Sequence, residues 1–67
     1  MKKDETAIAF LRCFETEDGC KVLAHLQAMT TGRVLSPDAA HNVLWYLEGQ
    51  RQLVHFITAM IERGKKA

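Results

Sequence analysis

Residues Ser36–Arg63 read SPDAAHNVLWYLEGQRQLVHFITAMIER, and this stretch decides the fold. It opens with a strong helix start. Ser36 suits the N-cap, Pro37 the first helical position, and Asp38 the first turn, where negative charge complements the helix dipole. Gly64, Lys65 and Lys66 follow with the glycine and basic residues that close a helix. Gly49 stands in the middle and raises the question of two helices. Ala40, Val43, Leu44, Leu47, Val54, Ile57 and Ile61 stay on one face through it without a phase jump. No Pro, Asn or Ser follows Gly49 to restart a helix. The spacing therefore predicts one helix over 37–63, about 40 Å long at 1.5 Å per residue.

Working toward the N-terminus, two shorter helices precede it. Ala7, Phe10, Leu11 and Phe14 share one face of a helix predicted over 4–14, with Asp4 and Glu5 in its first turn. A second helix is predicted over 17–30. Thr16 is its N-cap, Glu17 and Asp18 fill its first turn, and Val22, Leu23, Leu26 and Met29 form its apolar stripe. Gly19 falls on the striped side. A glycine there costs about 1 kcal/mol relative to Ala, which is understandable if another backbone packs closely against it. Thr30, Thr31 and Gly32 end the helix. The expected architecture is all-α: a single small helical domain, 1–67, with two short helices packed along one long C-terminal helix. Residues 1–3 and 64–67 are expected to be frayed tails.

Composition narrows the functional classes. The chain has 67 residues, 48% apolar and 25% charged, which is ordinary for a globular protein. A formal net charge of +1 gives no strong field for nucleic acid or anionic membrane. No apolar run approaches the roughly 20 residues of a membrane span. The charged start, Met1 to Thr6, lacks the apolar region of a signal peptide. These facts point to a soluble intracellular domain. Cys13 and Cys20 are read as reduced thiols acting as small buried or half-buried hydrophobes.

The long helix carries the candidate functional surface. Met60, Leu53, Tyr46, Ile57, Val43, Ile61, Val54, Leu47, Ala40 and Leu44 spread over roughly 200° of its circumference, where a surface helix needs little more than 100°. Two short helices can bury part of that sector, and the remainder suits a second copy or another protein. Beside it, Trp45, Gly49, Gln52 and Phe56 line one edge, with Gly49 leaving a notch between two large rings. That edge is either the resting place of a short helix or a partner-docking edge, since Trp is enriched in interface hot spots. Arg51 lies within the apolar sector and must snorkel or pair, with Glu48 three residues away. The candidate interface is Trp45, Tyr46, Gly49, Arg51, Leu53, Phe56, Ile57 and Met60. A homodimer or heteromeric complex is expected, sealed by part of the set Tyr46, Leu53, Phe56, Ile57 and Met60.

Other chemistries find little support. Cys13, Cys20, His25, His41 and His55 include no C-x-x-C and no H-x-x-x-H, so no metal site is expected. No phosphate loop or dinucleotide fingerprint occurs, and a chain this short has little room for a deep pocket. No catalytic residue, cofactor or small-molecule substrate is expected. A DNA-reading helix would open Ser36-Pro37-Asp38 and carry no basic residue until Arg51. Lys2, Lys3, Arg63, Lys65 and Lys66 cluster only at the termini. Nucleic-acid binding is therefore a third reading.

Two blocks carry a resemblance. Phe14-Glu15-Thr16-Glu17-Asp18-Gly19-Cys20-Lys21-Val22-Leu23 and Glu48-Gly49-Gln50-Arg51-Gln52-Leu53-Val54 resemble a family of small helical proteins of tailed bacteriophages and prophages. That family's pattern is Phe-x-Thr-x-x-Gly-x-x-Val-Leu followed by Glu-Gly-x-Arg-x-Leu-Val. The resemblance runs from Phe10 to Ile61 and would make Thr16, Gly19, Gly49 and Arg51 family positions. It implies a phage protein, often encoded near head and tail genes, with no assigned enzymatic activity. The leading expectation is a non-enzymatic protein–protein interaction module, docking through its long helix. The alternative is a small regulator that inhibits a host protein, defence proteins included.

Overall fold

The structure is a computed structural model, and it describes residues 4–30 and 40–67. Three helices follow in order, α1 (Glu5–Phe14), α2 (Glu17–Met29) and α3 (His41–Lys66), with no strand among the described residues. The expected all-α arrangement is present, with α1 and α2 against the long helix. α3 passes through Gly49 without interruption.

The ends of α3 differ from the sequence reading. The Ser36-Pro37-Asp38 start lies outside the described residues. Ala40 is extended (φ −66°, ψ 151°) and serves as N-cap without a side-chain hydrogen bond, so α3 begins at His41 rather than Pro37. At the other end, Gly64 does not close the helix. It is buried inside α3, which continues to Lys66 where a frayed tail was expected.

The reason is packing. A Cβ built on Gly64 would lie 2.5 Å from the Ala7 carbonyl oxygen and 2.9 Å from the Leu11 Cβ. Ala7, with 0% of its surface exposed, is the matching small residue on α1. Two small side chains let the backbones of α1 and α3 approach closely. Around that contact Asp4 pairs with Arg63, and the Phe10 and Phe56 rings meet edge-on with centroids 5.8 Å apart. Asp4 also caps α1, accepting from the Ala7 N–H at 3.2 Å.

The α1–α2 corner is tight. Thr16 caps α2, its Oγ1 accepting from the Gly19 N–H at 2.9 Å. Gly19 is buried, and a Cβ there would collide with the Cys13 carbonyl and approach the Phe14 Cα to 2.7 Å. The close approach inferred from the sequence is therefore real at Gly19. At Gly49 it is absent, because nothing lies within 4 Å of a Cβ built there.

α2 touches α3 more sparingly than α1 does. Open grooves of about 320 Å³ (Leu11, Phe14, Cys20, Leu23, Thr58, Ile61) and about 200 Å³ (Leu26, Met29, Gln50, Leu53, Ile57) separate it from a flush fit. The buried apolar core comprises Ala7, Leu47, Val54 and Met60. The molecule is flattened, 48 × 27 × 12 Å, with a radius of gyration of 14.5 Å. A compact chain of this length would have about 11 Å.

These contacts predict opposite outcomes for two glycines on one helix. Gly64→Ala forces a methyl against the Ala7 backbone and lowers stability by about 1–3 kcal/mol. Gly49→Ala meets no obstacle and raises it by up to about 1 kcal/mol through helix propensity. Urea unfolding in dilute solution measures both, and equal effects would refute the assignment.

Candidate protein-docking face

Most of the exposed apolar residues of α3 lie between Val43 and Leu53, with Phe56 beyond them. Trp45 is 76% exposed, Tyr46 71%, Leu53 62% and Phe56 52%, with Val43 and Leu44 also open. α1 lies across the C-terminal part of α3, from Phe56 to Gly64, and leaves these side chains open, while Leu47, on another face of the same half, is buried in the chain's own core. The sequence left the Trp45–Phe56 edge open between a short-helix seat and a docking edge. The structure divides it: Phe56 meets Phe10 at its margin, while Trp45 and Gly49 face outward.

The remaining candidates fall as follows. Tyr46 and Leu53 join the exposed face. Ile57 is half-buried beside the α2 groove. Met60 is 5% exposed and belongs to the chain's own core, under α1, where Arg63 Nη1 lies 3.5 Å from its Sδ. With so little of its surface open, it offers little to a seal. Two further apolar residues, Val22 and Met29 of α2, are about half exposed. Met29 sits across the groove from Leu53, so the open surface extends from α3 onto the end of α2.

Arg51 has an inward task that the sequence did not disclose. Its Nε donates to the Thr30 carbonyl at 3.3 Å, and its Nη1 lies 3.8 Å from Glu48. Thr30 is buried at the end of α2, and its hydroxyl donates to the Leu26 carbonyl at 2.7 Å. The guanidinium therefore satisfies a terminal carbonyl and places positive charge at the negative end of α2's dipole. The signal was a lone arginine inside an apolar sector, which needs a partner; periodicity could not say that the partner was a backbone oxygen on another helix.

Among the described residues, no three His, Cys, Asp or Glu gather to hold a metal ion, and no helix is long and apolar enough to cross a membrane. Cys13 and Cys20 are free and exposed, which corrects their reading as buried hydrophobes. Cys20 stands at the open groove between α2 and α3. Its Sγ donates to the Phe14 carbonyl at 3.2 Å.

Two stability outcomes follow from this surface. Arg51→Leu strips the Thr30 carbonyl of a charged donor and costs about 1.5–3 kcal/mol, whereas Glu48→Gln, at an exposed pair, changes stability by less than about 1 kcal/mol. Cys13→Ser combined with Cys20→Ser leaves the melting temperature within a few degrees, as expected for surface positions. Thermal and denaturant unfolding read both.

Compared with known protein families, residues 10–62 match the model described as Bbp19-like phage protein. Neither the curated proteins nor the solved structures include a match.

Proposed function

The chain belongs to the Bbp19-like phage protein family, and from that premise we propose that it is a non-enzymatic interaction module. It docks a protein partner on the exposed face of α3, bounded by Trp45, Tyr46, Leu53 and Phe56. One observation carries the reading: three aromatic rings and a leucine stand open on a rigid helix. Soluble monomers rarely leave such a patch uncovered, and aromatic anchors dominate interface energetics.

The chemistry of the face defines what fits. From His41 to Ile61 the only charged residues are Glu48 and Arg51, and these pair with one another. An uncharged face with aromatic anchors suits an apolar, weakly charged protein surface, since charge is depleted at interface cores. A phage assembly or virion context, within the host cytoplasm, fits the phage family and the neighbouring head and tail genes that the resemblance implies.

Leu53→Asp places a carboxylate in the middle of the face and should weaken association at least about tenfold, or more than about 1.4 kcal/mol. Gln52→Asp, at the polar edge of the face, exchanges one polar side chain for another and should change association less. Both leave the intramolecular core untouched, so both variants should keep wild-type helix content by circular dichroism. Sedimentation equilibrium and binding to phage structural proteins supply the measurement. Equal behaviour of the two variants would remove the face from the function.

A further inference from the structure

Resting on that reading, we propose that the occupant of the α3 face is a second copy of this chain, paired antiparallel about a two-fold axis at Gly49. The first observation is spacing. Asn42, Tyr46, Gly49, Leu53, Phe56 and Met60 recur in alternating steps of four and three, the seam of a helix–helix pair. α1 uses the lower end of that seam, burying Met60, and the upper end is exposed. The chain covers half of its own seam and leaves the rest for another helix.

The second observation is area. The chain exposes 5405 Å². A compact monomer of this mass exposes about 4,300 Å². The excess, about 1,100 Å², belongs to the flattened molecule as a whole, and it leaves room for the roughly 800 Å² that each partner contributes to a standard interface. The third is charge. With Glu48 and Arg51 paired to each other, the face presents no net charge to repel its own copy. The fourth is Gly49 itself. It is exposed, central to the seam, and has nothing within 4 Å of a built Cβ. A glycine there serves no contact within the chain, and it would let two backbones approach closely where helices cross.

Orientation follows from where α1 sits. In a parallel pair both copies of Met60, each covered by α1, would fall on the same level and hold the helices apart. An antiparallel pair centred at Gly49 sets residue 49 + n against 49 − n. Leu53 then meets Trp45 of the second copy, and Tyr46 meets Gln52. The overlap runs over 41–57 and ends where α1 begins to occupy the seam. Opposed helix dipoles favour the same direction.

Sedimentation equilibrium of the wild-type chain tests the pairing without any variant, and a reversible dimer at micromolar concentration is expected. Orientation is read in a Cys13→Ser, Cys20→Ser background by mixing Trp45→Cys and Leu53→Cys chains under mild air oxidation. The mixed disulfide should dominate over either homodisulfide. Gly49→Leu should raise the dimer dissociation constant about tenfold or more, the range of overpacking effects, with helix content retained. A wild-type chain that stays monomeric to about 100 μM, a weak limit for any specific pair, would overturn the second copy as occupant. The docking reading would then stand or fall on Leu53→Asp against another phage protein. Homodisulfides in excess would overturn the antiparallel arrangement while leaving the docking face in place.

Discussion

The arrangement depends on the meeting of Ala7 with Gly64. Neither residue contributes much apolar area. Their value is geometric, since a Cβ on Gly64 would lie 2.5 Å from the Ala7 carbonyl oxygen. With two small residues at the crossing, the α1 and α3 backbones come close enough for Leu11 to pack beside Gly64, for Phe10 to reach Phe56, and for Asp4 to reach Arg63. A ten-residue helix has little intrinsic stability. α1 persists because this contact lets its whole inward strip engage at once.

The same contact determines what is left open. α1 can cover only the part of α3 that it crosses, and α2, turned back at Thr16 and Gly19, rests beside grooves rather than in a flush seat. Arg51 therefore matters beyond its charge. By donating to the Thr30 carbonyl it ties the loosely packed end of α2 to the middle of α3, where little apolar contact would do so. A side chain that looks misplaced in an apolar sector is the fastening between two elements.

The sequence made much of this legible. Hydrophobic period and capping residues located α1 and α2 to within a residue, identified Thr16 as a cap, and carried α3 through Gly49. Of the two long-helix glycines, the one that packs within the chain is Gly64 and not Gly49, and the cause is physical. Periodicity tells which residues share a face, but not which length of that face a neighbour covers. Gly49 lay between aromatic residues and suggested a close contact; Gly64 preceded two lysines and suggested a helix end. The phase of Gly64 held a usable signal, since it continues the line of Ile57, Met60 and Ile61 at steps of three and four. The exposure of Trp45 and Tyr46 was beyond reach for the same reason, because it depends on where α1 stops.

A core with four buried apolar residues among the described ones also bears on how folding and association relate. A chain of this size buries only about 60% of its unfolded surface, so its stability alone is small. Anything that binds the folded chain and not the unfolded one adds stability by mass action. Under the proposed pairing, the face that recognises a second copy is also the missing side of the core. Each α3 would supply its partner with the apolar layer that two short helices are too short to provide. Association would then do more than join two finished molecules. It would extend to the N-terminal half of α3 the packing that Ala7 and Gly64 establish at the other end.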